Sequence, residues 1–459
     1  MAARETVIDV PAFVDGRPVG RFQYGVAALC GLTVFLDGFD AQSIAFVAPS
    51  IAKDWHIPPT DLKWVFAFGL IGLLIGALGF GLLADKVGRR RVIMICTAVF
   101  GVMTVVTAFS TSTSELLVFR FITGIGLGGA MPNAIALTAE YCPQRRRATI
   151  VMVMFTGFSL GAFFGGMLAA ALIESFGWRS VWYLGGILPL LLLPLQFGAL
   201  PESIRFLILS DAPRTRVDRL VRRIAPDATF APGTRFDAGE LRAPGVPVVH
   251  LFADGRAWGT ICLWIMFFMN LLDLFFVQSW IPTIANEAGV ALRTSVIIGA
   301  LLQLGGVVAA PVLGVIIDRV GGCRVLPIVY GVGCLVVILL GQAGASVPLL
   351  ALLTFSAGAC VVGSQNSANA LSAIFYPTAM RATGVGWCLG IGRIGAIIGP
   401  VLGASLIALH WPTASIFLLF GLPLACAMIA AFAMGRRYGA DPGRVVAVEA
   451  DTAVTPASV

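Results

Sequence analysis

Apolar runs long enough to cross a bilayer alternate with short charged or turn-rich breaks along nearly the whole chain. A helix rises about 1.5 Å per residue, so roughly 20 mostly apolar residues span the hydrocarbon core. On that measure the pattern predicts six spans near 22–47, 62–84, 92–110, 115–138, 149–172 and 179–200. Six more follow near 257–282, 294–317, 325–342, 347–373, 383–408 and 412–434. A polar stretch from Pro201 to about Arg256 separates the two sets. The expectation is an all-α integral membrane protein of twelve transmembrane helices in two six-helix bundles. Its parts are an N-terminal segment 1–21, a first bundle 22–200, a central loop 201–256, a second bundle 257–434 and a tail 435–459. That tail is small and polar, a composition expected to be disordered.

Inside the central loop, Val217, Leu220, Val221 and Ile224 recur at helical spacing among arginines. This predicts an amphipathic helix lying on the membrane face. A tether between bundles with a solvated charged face is the alternative. The N-terminus, Met1 to Gly20, is polar and holds Pro11 and Pro18, so the first span is expected to serve as its own insertion signal.

Composition agrees with a membrane protein. Hydrophobic residues make up 58% of the 459 and charged residues 12%, with mean hydropathy +0.92, against about 25% charged in soluble domains. The net charge of +7 comes almost wholly from arginine, with Lys53, Lys63 and Lys86 the only lysines. Basic residues cluster in alternate loops: Lys86 with Arg89-Arg90-Arg91, then Arg145-Arg146-Arg147, Arg319 with Arg324, Arg381, and Arg436-Arg437. The other loops hold Lys53, Lys63, Arg179 and Arg293. Such asymmetry places both termini in the cytoplasm and argues against a nucleic-acid surface.

Nine scattered cysteines form no C-x-x-C, and no Cys/His cluster could hold a metal. His56, His250 and His410 fall at span ends or loops, which excludes a mid-membrane histidine relay. The G-x-G-x-x-G spacing of Gly124 to Gly129 lies inside a span, so it is no nucleotide site. No metal or cofactor is expected.

Charges inside the spans are costly, roughly 2.5–3.5 kcal/mol each even on an insertion scale, and so point to function. Asp37 and Asp40 share one face of the first span at three-residue spacing. Arg120, in the outer half of the fourth span, lies at matching depth. The set reads either as a satisfied structural cluster or as a proton-coupling site with one acid in surplus. In the second half, Asp273 lies near the middle of span seven and Arg393 near the middle of span eleven. They read as a cross-helix salt bridge, or Arg393 reads as a fork for a substrate carboxylate. Gln365, Asn366 and Asn369 put a polar face on span ten, lining a cavity or bonding a neighbour. Phe39, Trp64, Phe268, Phe275 and Trp387 lie near these charges and could sandwich a planar ring, or simply pack or face lipid. Gly124, Gly126, Gly128 and Gly129, with Gly386, Gly390, Gly395, Gly399 and Gly403, are read as close-packing positions.

The two halves repeat. Gly81-Leu-Leu-Ala-Asp85-Lys-Val-Gly88-Arg89-Arg90 follows span two, and Gly314-Val-Ile-Ile-Asp318-Arg-Val-Gly321 follows span eight. The first copy resembles the signature loop of the major facilitator superfamily, and the resemblance covers nearly the whole chain. It implies that Gly81, Asp85, Gly88, Arg89, Arg90 and Asp318 belong to conformational-switch loops.

Shorter motifs narrow the resemblance. Asp37-Gly38-Phe39-Asp40, Arg120 through Asn133, and Arg381 through Gly395 are similar to elements of the aromatic acid:proton symporters, the permeases for 4-hydroxybenzoate, benzoate and protocatechuate. That family implies import of an aromatic carboxylate with protons across a bacterial inner membrane, by alternating access and as a monomer. Carried over, Asp37, Asp40 and Arg120 serve proton coupling, and Glu140 acts with the switch loop. Arg393, Asp273, Gln365, Asn366, Asn369 and Phe39 are the candidate substrate contacts. A sugar or polyol porter is the rival, because Pro201-Glu202-Ser203-Ile204-Arg205 resembles a stretch of sugar carriers. A transporter-like chemoreceptor is a further alternative. A drug antiporter is weakened because Gly157 to Gly166 lacks proline, and an intramembrane protease because the catalytic pairs are missing.

Overall fold

The hydropathy pattern becomes twelve membrane-length helices among the described residues of the computed structural model. It describes residues 7–439 apart from 211, 229, 231–233, 238–247, 254 and 377–380. Of the tail expected to be disordered, residues 435–438 continue the last helix, which corrects the expectation there, and 440–459 fall outside the described residues.

In chain order the elements begin with β1 (Val7–Asp9), α1 (Val10–Asp15), α2 (Arg21–Trp55), α3 (Lys63–Val87) and α4 (Arg89–Thr107). Then come α5 (Thr113–Tyr141), α6 (Gln144–Phe176), α7 (Arg179–Ala199), α8 (Ile204–Leu209), α9 (Arg214–Ile224) and β2 (Arg235–Asp237). The second half holds α10 (Ala257–Glu287), α11 (Leu292–Val320), α12 (Gly322–Leu340), α13 (Val347–Phe375), α14 (Arg381–Ala408) and α15 (Thr413–Tyr438). The six spans read in each half are α2–α7 and α10–α15.

Local chemistry sets several helix ends. Ser112 caps α5 by accepting the Glu115 N–H, while Glu115 accepts the Thr111 N–H at 2.9 Å, a variant of the capping box. The α3–α4 break falls at Gly88, with φ 99°, and the α11–α12 break at Gly321, with φ 94°. Both glycines adopt a backbone that other residues reach only under strain. The repeated D-x-x-G motif is thus a repeated three-dimensional turn.

The repeat extends to helix pairing. A Cβ on Gly38 of α2 would fall 2.0 Å from the Phe158 carbonyl oxygen of α6, and Gly76 of α3 stands at the same distance from Ile125 of α5. Gly186 of α7 approaches the Gly101 carbonyl of α4. In the second half Gly395 of α14 meets Phe268 of α10, Gly305 of α11 meets Phe355 of α13, and Gly421 of α15 meets Ile338 of α12. In both halves the first span pairs with the fifth, the second with the fourth and the third with the sixth. Gly386 and Gly390 have open space around them, which corrects their reading as packing positions.

The chain divides into two compact units: 1–41, 71–162 and 182–242 form one, and 42–70, 163–181 and 243–459 the other. Within the second unit, Phe66 meets Trp280 edge-on at 5.6 Å and Gly166 packs on Ala300 and Phe46. Arg293 bridges Glu174 at 3.3 Å on the exterior of that unit.

In the first unit the central loop is more structured than its polarity suggested. The helix expected at Arg214–Ile224 forms, but its apolar face meets protein and not lipid. Val217, Val221 and Ile224 are buried in one cluster with Val10, Val14, Val26, Cys30, Ile204 and Leu207. α1 supplies part of that cover, and β1 adds a short parallel pairing with β2, Val7 opposite Arg235. Lipid exposure is therefore corrected to burial inside the unit.

Candidate functional site

The acidic pair is positioned by the glycine between its members. Gly38 faces α6 at backbone contact, which fixes the rotation of α2 and leaves the Asp37–Asp40 face toward α4 and α5. Asp40 is fully buried. Its Oδ2 accepts from Arg120 Nη1 at 3.0 Å and its Oδ1 from Thr104 Oγ1 at 2.7 Å, while its backbone carbonyl accepts from Arg120 Nη2 at 3.1 Å. The depth match expected between Arg120 and the acids is realised at Asp40. Asp37 is likewise buried and lies within electrostatic reach of the Cys96 thiol of α4. One turn away, Gln196 of α7 donates to Thr33 at 2.9 Å and to Thr97 at 3.2 Å. Asp37, Asp40 and Arg120 are the buried charged side chains of this unit among the described residues, two acids to one base.

Phe39 borders this network. Its ring is buried 3.3 Å from where a Cβ on Gly185 of α7 would sit, a point that the Thr104 methyl group also approaches at 3.5 Å, so it packs between α7 and the threonine that holds Asp40.

In the second unit the Asp273–Arg393 bridge, one of the two readings of these residues, does not form among the described residues. Asp273 is fully buried, and neither carboxylate oxygen has a hydrogen-bond partner among the described residues. Arg393 is half-buried on α14. The polar face of α13 is organised by Asn270, one turn before Asp273. Asn270 Nδ2 donates to Gln365 Oε1 at 2.8 Å and to the Val361 carbonyl at 3.2 Å, and its Oδ1 accepts from Ser364. Gln365 in turn reaches Asn369 at 3.4 Å, while Asn366 and Asn369 are half-buried. Gln303 of α11 donates to Gln278 of α10 at 3.1 Å. Trp387 stacks on Trp264 at 5.8 Å, and Trp64 is exposed.

At the arginine-rich end of the first unit, Glu140 joins two segments. Arg89 pairs with it, and Ser203 Oγ donates to its other oxygen. Glu202 Oε1 accepts the backbone N–H of Arg90 at 3.0 Å and of Ser203 at 2.9 Å. Gly88 leaves the space this carboxylate fills, since a Cβ there would fall 2.4 Å from Glu202 Oε2. The Pro201-Glu202-Ser203 stretch, which suggested sugar carriers, is here a latch on the start of α4. A Cβ on Gly81 would meet open space. The side chains of Asp85 and Asp318 lie outside the described residues.

Thr104, Gln196, Asn270, Gln278 and Gln303 escaped the sequence reading. Asn270 was detectable, three residues before Asp273 on the same face. Thr104 was not, because a threonine in a span ordinarily bonds its own helix backbone.

Twelve membrane-length helices, a duplicated pairing order and a buried acid–arginine network define an integral membrane transport protein. The family model confirms the class: the chain belongs to the Major Facilitator Superfamily, whose model matches residues 30–340 and, again, 263–456. The chain is 40% identical over 437 residues to the gallate transporter of Pseudomonas putida, covering 95% of this chain and 97% of that one. It is 40% identical over 439 residues to the 4-hydroxybenzoate transporter PcaK of Pseudomonas aeruginosa, covering 95% and 98%. The benzoate transport protein of Acinetobacter baylyi is 33% identical over 454 residues, covering 97% of each chain.

Proposed function

We propose that this chain imports an aromatic carboxylate, such as a hydroxybenzoate or gallate, in symport with protons across a bacterial inner membrane, with both termini in the cytoplasm. The observation that carries the cargo is the full-length likeness to transporters named for gallate, 4-hydroxybenzoate and benzoate. The coupling is supported by two carboxylates, Asp37 and Asp40, buried in one membrane-spanning helix, since such groups are costly there and mark proton and ion pathways. Moving one anion inward against the membrane potential costs about 2.3 kcal/mol per 100 mV. One proton cancels that charge, so that a pH gradient can drive accumulation, and any further proton would add the membrane potential to the driving force. Linkage then requires protonation and substrate binding to favour each other.

In this reading Asp37 and Asp40 carry the coupling, with Arg120 and Thr104 holding Asp40. Arg393 grips the carboxylate, and Asn366 and Asn369 bond ring substituents on a face held by Asn270 and Gln365. Phe39 and Asp273 support the site from within the packed helices. Alternating access is the mechanism, with Glu140, Arg89 and the two glycine-capped loops at the switching end.

The test is uptake by proteoliposomes across a panel of aromatic acids and hexoses, with and without an inward proton gradient. Gradient-dependent accumulation of one or more aromatic acids is expected. Accumulation indifferent to the gradient would defeat symport. Hexose uptake would favour the sugar reading, and binding without flux a receptor.

A further inference from the structure

Burial of the apolar face of α9 has a consequence for its other face. Arg216, Arg219 and Arg223 lie at three- and four-residue spacing, all exposed, on the side away from Val217, Val221 and Ile224. They line a cleft of about 700 Å³ whose opposite wall carries Arg90 and Arg91 of α4. Five arginines thus line one space, with the guanidinium of Arg223 over the Phe22 ring and that of Arg90 over the Phe197 ring, each at 5.5 Å. Glu202 is the acid that lines it, and one oxygen of Glu202 already takes two backbone N–H groups. Asp218 is engaged elsewhere, by Arg222 at 2.9 Å. Arg90 donates from its Nη2 to the Phe197 carbonyl, while its buried Nε has no hydrogen-bond partner among the described residues.

We propose that this cleft binds the phosphate of an anionic phospholipid. Arginines lining one cleft suit phosphate, because each presents a planar fork of donors to its oxygens. Two observations favour a lipid over a free phosphate. The cleft is lined by Gly198 and Leu200, at the end of the membrane-spanning α7, which is headgroup depth. Directly below, α7 presents Ile187, Leu191 and Leu195, all large, apolar and exposed at four-residue spacing, a track on which an acyl chain can lie. The site is independent of the cargo and of proton coupling, and it lies wholly within the first unit.

The experiment uses the full purified chain in neutral detergent, titrated with phosphatidylglycerol, phosphatidylcholine or inorganic phosphate. Retention is read by native mass spectrometry and stabilisation by thermal unfolding. Phosphatidylglycerol should be retained and should raise the melting temperature, while phosphatidylcholine does neither. The triple variant Arg216→Gln/Arg219→Gln/Arg223→Gln alters exposed positions. It should melt like the parent without lipid yet retain phosphatidylglycerol about a hundredfold more weakly, at roughly a factor of five per arginine. Arg222→Gln, one step off the cleft, should bind like the parent. Undiminished retention by the triple variant, or an equal loss in Arg222→Gln, overturns the site. Stabilisation by inorganic phosphate equal to that by phosphatidylglycerol overturns the lipid assignment.

Discussion

Asp40 shows how one residue is made both safe and consequential. Its carboxylate sits in a membrane-spanning helix with no exposed surface, and Arg120 and Thr104 satisfy it. Removing one partner of such a pair leaves an uncompensated buried charge, a loss of about 3–5 kcal/mol, whereas replacing both by neutral polar groups removes the problem along with the interaction. Arg120→Ala should therefore lower the melting temperature strongly. The pair Asp40→Asn/Arg120→Gln should recover most of that loss while leaving accumulation abolished. Equal destabilisation of the single and double variants would show that the pair is not what holds the helices. Asp37, one turn earlier, makes a cleaner test of coupling: Asp37→Asn should express normally and transport down a gradient, yet fail to accumulate substrate against one. Accumulation at wild-type level would mark Asp37 as structural.

Helices rather than side chains decide where those acids point, and Gly38 is the residue through which α2 meets α6. A methyl group there would fall 2.0 Å from a carbonyl oxygen, a contact that backbone must move to relieve. Overpacking of this kind costs about 1–3 kcal/mol, and here it would also rotate the Asp37–Asp40 face. Gly38→Ala should lower both the melting temperature and uptake. Gly386→Ala, with open space at its Cβ, should leave both unchanged or gain slightly from helix propensity. Equal effects at the two positions would refute the close-approach account. The contrast shows what the sequence made legible at this scale. Span positions and the duplicated loop could be read because hydropathy and D-x-x-G are local signals. Arg120 meeting Asp40 could be read because depth follows from residue count. The failure of Arg393 to meet Asp273 could not, since depth says nothing of rotation about the helix axis. For the same reason Phe39 looked available and is packed against α7. α9 was legible as amphipathic, but periodicity cannot say whether lipid or protein covers the apolar face. The cover is α1 and the start of α2, and the polarity of the segment that forms α1 hid its two buried valines, Val10 and Val14.

At the scale of the molecule, the same pairing order recurs in both halves, and the alternating-access reading then asks where the halves hold and release each other. The second unit contains such a holding place at the end away from the arginine-rich loops. There the end of α6, from the first half, meets the start of α11, from the second, through Glu174 and Arg293. An exposed ion pair is worth little, about 0–1 kcal/mol, so losing it should not impair transport. That makes it a suitable place to install a reversible tether. In a background with the nine native cysteines replaced, Glu174→Cys/Arg293→Cys should transport like its parent. Joining the two thiols with a short bis-methanethiosulfonate reagent should stop uptake, because the ends can no longer part, and reduction should restore it. Substrate binding measured on the cross-linked protein should persist, since the cargo is then approached from the other side. Uptake that continues with the tether in place would show that these ends do not separate during turnover, and the alternating-access reading would fall with it.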